Sequence, residues 1–295
     1  MPHLNIHISD EEELKPLRGV RVLTLAVNVP GPVAAARLHA LGADVVKVEP
    51  PAGDPLAHIS PAWYESLAAG QRVVRLDLKE PGGRARLDGL LTESDLLLTS
   101  TRPAALGRLS LRWAELQARS SRLSHVAIIG YLSPDTDRAG HDLTYQAELG
   151  LLSPPLLPRT LLADLAGAER AVSAALALLL ARERSGRGGY AQVSLMEAAR
   201  AFADSLCYGV TTPGGPLGGG VSGYNLYRTQ DGWVAVAALE PHFRERLQSG
   251  LGVSNPTTEE LARVFLTRTT AEWVAWGTAR DLPLAPVRET VPESD

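Results

Sequence analysis

Gly19-Val20-Arg21-Val22-Leu23-Thr24-Leu25-Ala26 is a short apolar run rich in β-branched residues. It reads as a strand buried on both faces of a parallel sheet. Pro30-Gly31-Pro32 breaks the strand, and Val33 to Leu41 reads as a helix ended by Gly42. Asp44-Val45-Val46-Lys47-Val48-Glu49 is a second strand, stopped by Pro50-Pro51. Strand, helix and strand in this order form a βαβ unit, the opening of a Rossmann-like sheet. Its first turn holds one glycine and lacks the Gly-x-Gly-x-x-Gly spacing that lets a backbone approach a dinucleotide pyrophosphate. NAD and FAD are set aside on that ground.

The alternation continues. Val73 to Leu78, Asp95 to Thr99 and Ser124 to Gly130 read as strands, with helices at Pro81 to Leu91 and Trp113 to Arg119 between them. That order predicts a parallel sheet covered on both faces. Arg102 follows a strand's carboxyl end, where such sheets hold ligands, so it is either a phosphate or nucleotide contact or a solvated loop arginine. Leu165 to Arg184 reads as a long helix stopped by Ser185-Gly186-Arg187-Gly188-Gly189, followed by a strand at Tyr190 to Leu195 and a helix at Met196 to Cys207.

Pro213 to Gly220 is the clearest break in composition. No Gly-Lys-Ser/Thr follows it, and Tyr224 stands where a nucleophile elbow around Ser222 would need glycine. Beyond it, Asn225 to Thr229 and Trp233 to Ala237 read as paired strands, with helices at His242 to Gly250, Thr258 to Phe265 and Thr270 to Ala279. The expected fold class is α/β, a Rossmann-like parallel-sheet large domain with a smaller α+β domain. The expected divisions are 1–197 for the large domain, 198–223 for a linking helix and Gly-rich loop, 224–282 for the small domain, and 283–295 for a C-terminal return segment. Met1 to Lys15 reads as a loosely held arm.

The chain has 295 residues, 45% hydrophobic and 21% charged, the profile of a globular protein with a substantial core. A net charge of −4 supplies no basic field and argues against nucleic acid as a partner. The single cysteine, Cys207, cannot form an internal disulfide and suits a reducing compartment. It lies in a helical pattern and reads as a small buried apolar group. The first sixteen residues are polar, with no apolar core of a targeting segment. The longest apolar run, Ala171 to Ala181, reads as a buried helix and is short of the about 20 residues that span a bilayer. The expectation is a cytoplasmic protein without a membrane partner.

Gly140-His141-Asp142-Leu143-Thr144-Tyr145 places an imidazole, a carboxylate and a phenol together, and Asp164 follows after a proline-rich passage. A histidine in a turn can equally be a satisfied structural residue. Asp164 falls at the amino end of the long helix, where a plain N-cap contributes about 0.5–2 kcal/mol. The helix dipole there favours the ionised carboxylate.

Leu17 to Leu23, Gly42 to Pro50 and Leu76-Asp77-Leu78-Lys79 resemble the amino-terminal signatures of family III CoA-transferases and their α-methylacyl-CoA racemase relatives, the CaiB/BaiF-like proteins. Arg102-Pro103 resembles the family's Arg-Pro-Gly motif with Ala104 in place of glycine. Ala139-Gly140-His141-Asp142, Ser185 to Tyr190, and Asp231-Gly232-Trp233 through Glu240-Pro241 match further motifs. The resemblance runs from Leu17 to about Val287. It implies an interlocked homodimer, an acyl-CoA substrate with CoA as part of it, no metal or other cofactor, and a place in fatty acid metabolism. It also implies that Asp164 is the catalytic carboxylate, that His141 is the racemases' added base, and that Glu240 orients that histidine. Arg102, Lys47, Tyr145, Asp142, Thr160 and Pro30 are the residues the resemblance places around substrate and CoA. Asp142 can instead bond its own turn backbone.

Racemising a 2-methylacyl-CoA removes a weakly acidic proton beside the thioester carbonyl and returns one on the opposite face, which two acid/bases working near neutral pH can do. His141 suits this directly. Asp164 suits it only if burial raises its pKa against the helix amino end. Three departures mark this chain: Thr160 where racemases usually have asparagine, Gly220-Val221-Ser222-Gly223 in the loop over the pocket, and an ending at Asp295 where relatives return to the large domain. The readings are therefore a racemase-like enzyme first, a family III CoA-transferase with Asp164 as nucleophile second, and a shortened, non-catalytic CoA-binding relative third.

Overall fold

The computed structural model describes residues 15–289; the arm expected at Met1 to Lys15 lies outside them except for Lys15. The chain divides into two compact units, Met1–Phe202 and Ala203–Asp295. In the first, β1 (Arg21–Thr24), α1 (Pro30–Ala40), β2 (Asp44–Glu49), α2 (Pro55–Ile59), α3 (Pro61–Ala68) and β3 (Arg72–Arg75) are followed by α4 (Pro81–Thr92) and β4 (Leu96–Thr99). Then come α5 (Pro103–Arg108), α6 (Trp113–Arg119), β5 (Ser124–Ile129), α7 (Asp142–Glu148), α8 (Leu162–Ser185), β6 (Tyr190–Ser194) and α9 (Leu195–Arg200).

Six strands form one parallel sheet in the order β3-β2-β1-β4-β5-β6. This is the doubly wound order, whose direction reverses between β1 and β4 and opens a crevice at the strands' carboxyl ends. The sequence makes it so because β1, β4 and β5 carry apolar side chains on both faces. Val22, Leu23, Leu96, Leu97, Leu98, Val126 and Ile128 are all at most 2% exposed. Leu96 and Leu98 join the core under α1 and α8, while Leu23 and Leu97 join the core under α4 and α6.

Several expectations shift. β1 already ends at Thr24, and Pro30-Gly31-Pro32 begins α1, since a proline at the first helical position has no donor to lose and its φ is already helical. Gly31 is required there, because a Cβ would stand 2.5 Å from Cβ of Ala26. The helices α2, α3 and α5 are too short for a periodic apolar pattern to have announced them, and each starts on a proline. α8 is not buried all round. Small residues such as Ala163, Gly167, Ala171 and Ala175 let one side pack closely, while Leu176 and Leu180 are exposed. The helix expected over Met196 to Cys207 breaks after Arg200, and Cys207 is exposed rather than buried.

The second unit holds α10 (Asp204–Cys207), a distorted turn at Pro216–Gly220, β7 (Tyr224–Arg228), β8 (Trp233–Ala237), α11 (Pro241–Leu251), α12 (Thr258–Phe265), α13 (Thr270–Thr278) and β9 (Leu284–Pro286). Its antiparallel sheet, β7-β8-β9, packs Tyr227, Val234 and Val236 against Leu247, Leu261, Phe265 and Trp273. The division at Phe202 falls inside the stretch taken as a linker. Leu284–Pro286, placed by the sequence in a return segment, instead pairs with β8 through Val234, Ala235 and Val236. Three residues of strand leave too faint an alternation to read. No helix among the described residues is long and apolar enough to cross a membrane.

Candidate active site

A cavity of about 230 Å³ opens at the carboxyl ends of β1, β4 and β5. Its lining includes Asn28 and Pro30 from the β1–α1 turn, Arg102 after β4, Arg138 and His141 before α7, Tyr145, and Asp164. The sheet's reversal point thus collects side chains that lie far apart in sequence.

The turn under the cavity is held firmly. The amide of Val27 donates to Ser100 Oγ at 2.9 Å, and that of Asn28 to Asp54 Oδ1 at 3.0 Å. Asn28 has φ of 65°, a left-handed conformation that asparagine tolerates better than most residues. Pro30 is buried at the first position of α1 and forms the wall beside it.

His141 is extended and sits at the N-cap position of α7. Its amide donates to Thr144 Oγ1 at 3.0 Å, and that hydroxyl donates to the His141 carbonyl at 2.8 Å. The backbone is pinned by this exchange, while the imidazole remains exposed and lines the cavity.

Asp164 lies in the first turn of α8 and is not its cap; Leu161 holds that position. The capping carboxylate comes from another helix. Asp142 Oδ1 accepts from the amides of Ala163 and Asp164 at 2.7 and 3.2 Å, and Oδ2 accepts from Gln146 Nε2 at 2.6 Å. Asp142 therefore neither bonds only its own turn nor faces the cavity. It is 5% exposed and ties the amino ends of α7 and α8 together, bringing His141 and Asp164 to one chamber. Burial first, and the Asp142 charge second, push the Asp164 carboxyl from 3.8 up to about 7. Burial thus prevails over the amino end of α8, the competition the sequence left undecided.

Tyr145 is 2% exposed and packs edge-on to Tyr131 with ring centroids 5.3 Å apart. Burial first, then the negative charges near it, push its hydroxyl up to about 12, so it stays a donor. Gly140 is required beside it, since a Cβ there would lie 2.6 Å from the tyrosine ring. Arg102 is exposed at the cavity's edge, at the residue that precedes α5.

Two further residues expected around the substrate lie outside the cavity's lining. Lys47 is 1% exposed, and its ammonium bonds Glu49 Oε1 at 2.7 Å and Asp54 Oδ2 at 2.5 Å. The Tyr64 hydroxyl donates to the same Glu49 oxygen. A strand lysine surrounded by two carboxylates is satisfied internally, and Lys47 lines neither this cavity nor the apolar one along the ends of β2, β3 and β4. Thr160 is exposed outside the cavity, and only its carbonyl is used, accepting from Gln146 Nε2 at 3.3 Å. Glu240 belongs to the second unit, where it is exposed at the N-cap position of α11 without a capping bond from its side chain.

Sequence reasoning missed a second, mostly apolar cavity of about 530 Å³ along the ends of β2, β3 and β4. Glu49 to Ala52, Leu76 to Lys79, and Leu106 line it, and Val27 lines both chambers. Its signal was Leu76-Asp77-Leu78-Lys79, read as the end of a strand and a family signature and not as a cavity wall. Among the described residues no cluster of three or more His, Cys, Asp or Glu is arranged to hold a metal ion.

The sequence profile described as CoA-transferase family III matches residues 17–291. Alpha-methylacyl-CoA racemase of Homo sapiens is 32% identical over 305 positions, covering 92% of this chain and 77% of that protein. Succinyl-CoA--D-citramalate CoA-transferase of Chloroflexus aurantiacus is 29% identical, with coverages of 85% and 69%. A solved hypothetical protein from Mycobacterium tuberculosis superposes with a TM-score of 0.82 at 27% identity, covering 93% of this chain and 84% of that one. A CaiB/BaiF family protein from Brucella suis, 22% identical with a TM-score of 0.77 and coverages of 94% and 85%, shares the fold. With its doubly wound sheet, its crevice at the reversal point and a family match over nearly its whole length, the chain belongs to CoA-transferase family III.

Proposed function

We propose that this protein is an α-methylacyl-CoA racemase-like enzyme that epimerises 2-methylacyl-CoA thioesters by 1,1-proton transfer between His141 and Asp164. One observation carries the reading: the cavity that holds an exposed imidazole also holds a carboxyl raised to about 7. Such a carboxyl is partly protonated and partly ionised at neutral pH, so it can give or take a proton with little driving-force penalty.

In one direction His141 removes the proton on the carbon beside the thioester carbonyl, leaving an enolate, and the protonated Asp164 delivers its proton to the opposite face. In the other direction the roles exchange. No atom or electron is lost, and no cofactor enters. The Tyr145 hydroxyl, still a donor, stands at the same chamber. The larger apolar cavity suits the nucleotide end of CoA, with Arg102 at the adjoining edge to meet its phosphates. Glu240 is assigned the role of orienting His141 within an interlocked homodimer. The exposed Leu176 and Leu180 on α8 support a partner chain, since apolar side chains along one helix face ask for cover.

Incubation of one 2-methylacyl-CoA epimer in deuterated water tests the reading, with deuterium expected at the α carbon. Absence of exchange with several authentic acyl chains would overturn it. The second reading is a transferase in which Asp164 attacks the thioester, supported by the likeness to the Chloroflexus protein. Attack requires the ionised carboxylate, which a value of about 7 makes scarcer at neutral pH. Trapping of an aspartyl derivative by hydroxylamine, together with undiminished activity in His141→Ala, would favour it.

A further inference from the structure

Gly130 to Gly140 is the loop that leaves β5 and delivers His141 to the start of α7. Its course is fixed at one place that neither the racemisation chemistry nor the CoA contacts use. The carboxylate of Glu148, in the last turn of α7, accepts two bonds from Arg138. Nη2 donates to Oε1 at 2.6 Å and Nη1 to Oε2 at 3.2 Å, the fork-on-fork geometry that fixes direction as well as distance. The Tyr131 hydroxyl donates to the same Oε1 at 2.7 Å. The Arg138 guanidinium also lies over the Tyr131 ring, 4.4 Å from its centroid. One carboxylate on α7 thus grips the beginning of the loop at Tyr131 and its far limb at Arg138. Two further contacts join the grip to the site. Tyr131 packs against Tyr145, and Arg138 itself lines the chamber with His141 and Asp164.

We propose that Glu148 is a positioning residue, which through Arg138 and Tyr131 holds the loop so that His141 meets the thioester at the proton-transfer distance. This rests on the racemase-like reading for its kinetic test but not for its structural one. Proton transfer depends steeply on donor–acceptor geometry, and a displacement of about 1 Å can cost about a hundredfold. The nucleotide end of CoA, by contrast, is assigned to the other chamber, so its binding need not change. The Arg138–Glu148 pair is one-third to one-half exposed, so breaking it costs little stability, and the buried Tyr131 keeps its ring packing on Tyr145, so the variants should fold.

Glu148→Gln keeps the size of the side chain but loses the paired fork. The expected result is a fall of about tenfold or more in the rate of α-deuterium exchange, with KM for the thioester within about twofold of wild type. Tyr131→Phe, which removes only one of the three bonds, should fall between. In a double-mutant cycle, Arg138→Met combined with Glu148→Met should lose no more than either alone, because both break one device. Amide hydrogen exchange over 132–141 supplies the arm that needs no turnover: Glu148→Gln should speed exchange there while that of β5 stays unchanged. Unaltered loop protection in Glu148→Gln would overturn the proposal whatever the enzyme's reaction. A loss appearing in KM rather than in turnover, or additive single losses in the cycle, would overturn it too. Faster loop exchange in a protein that shows no α-exchange at all would retain the clamp and refute only the racemase-like reading.

Discussion

Replacing Asp164 by asparagine is expected to stabilise the protein at alkaline pH and to leave it unchanged in acid. The raised carboxyl binds its proton more tightly folded than unfolded, with 3.8 as the ordinary value and about 7 in the fold. Between those values the folded state carries a proton that the unfolded state has released. Stability is therefore fully present below about 4 and is lost as pH rises toward 7. At 1.36 kcal/mol per pH unit the loss approaches about 4 kcal/mol. Partial solvent access and the amino end of α8, which favours the anion, reduce it to about 2–4 kcal/mol. Asparagine fills the same volume, never ionises, and escapes that cost. Thermal denaturation of both proteins from pH 4 to pH 8 measures the effect. At pH 8 the variant should melt higher by about 2–4 °C for each kcal/mol, and at the acid end the two curves should converge. A difference that does not change with pH, or a wild type that is the more stable at pH 8, would refute the claim that burial governs this carboxyl. The same substitution should abolish α-exchange, so the site would show a trade of stability for activity.

Other outcomes follow from the same structure. Lys47→Met leaves Glu49 and Asp54 buried without their ammonium. It should cost about 3–5 kcal/mol in urea denaturation, and a loss under about 1 kcal/mol would return Lys47 to the pool of ligand contacts. His125 is 1% exposed, and burial lowers its pKa from 6.5 to about 4. The unfolded chain alone takes up that proton in between, so this contribution is present above pH 6.5 and fades toward pH 4, by up to about 3 kcal/mol. Urea midpoints at pH 7 and pH 5 should differ less in His125→Asn than in wild type, and equal differences would contradict the assignment. Gly140→Ala places a Cβ against the Tyr145 ring and should cost about 1–3 kcal/mol with a loss of exchange activity. Gly82→Ala, with open space around it, should be neutral or better in the same melt.

The parallel sheet was legible because its evidence is local. Buried strands need apolar residues on both faces, and Val22 to Thr24 and Leu96 to Thr99 show that directly. Turns that stop strands and helices are equally local, as at Gly42 and Gly186. The small domain's strands at Tyr224–Arg228 and Trp233–Ala237 were readable for the same reason, but the three residues of β9 were not.

Which residues carry chemistry was legible in type and only partly in place. His141, Asp164, Tyr145, Arg102 and Pro30 all line the chamber the sequence pointed to. Lys47 does not, because a strand position fixes which face a side chain takes but not what awaits it there. Two carboxylates, one of them seven residues away in a turn, claimed its ammonium. Arg138, Tyr131 and Glu148 carried no motif at all, since their pairing exists only once the loop has folded back on α7.

The sequence by itself determined the alternation of the parallel sheet's strands with its longer helices, the family and the identity of the two candidate bases. Only the tertiary structure decided how those bases behave. Asp142, twenty-two residues from Asp164, bonds the amino end of α8 and lies close enough to raise its neighbour's pKa. Desolvation and charge proximity are properties of the packed chain, set by distances between segments that sequence spacing does not encode. That is why a carboxyl that a helix terminus alone would keep ionised is instead pushed up to about 7.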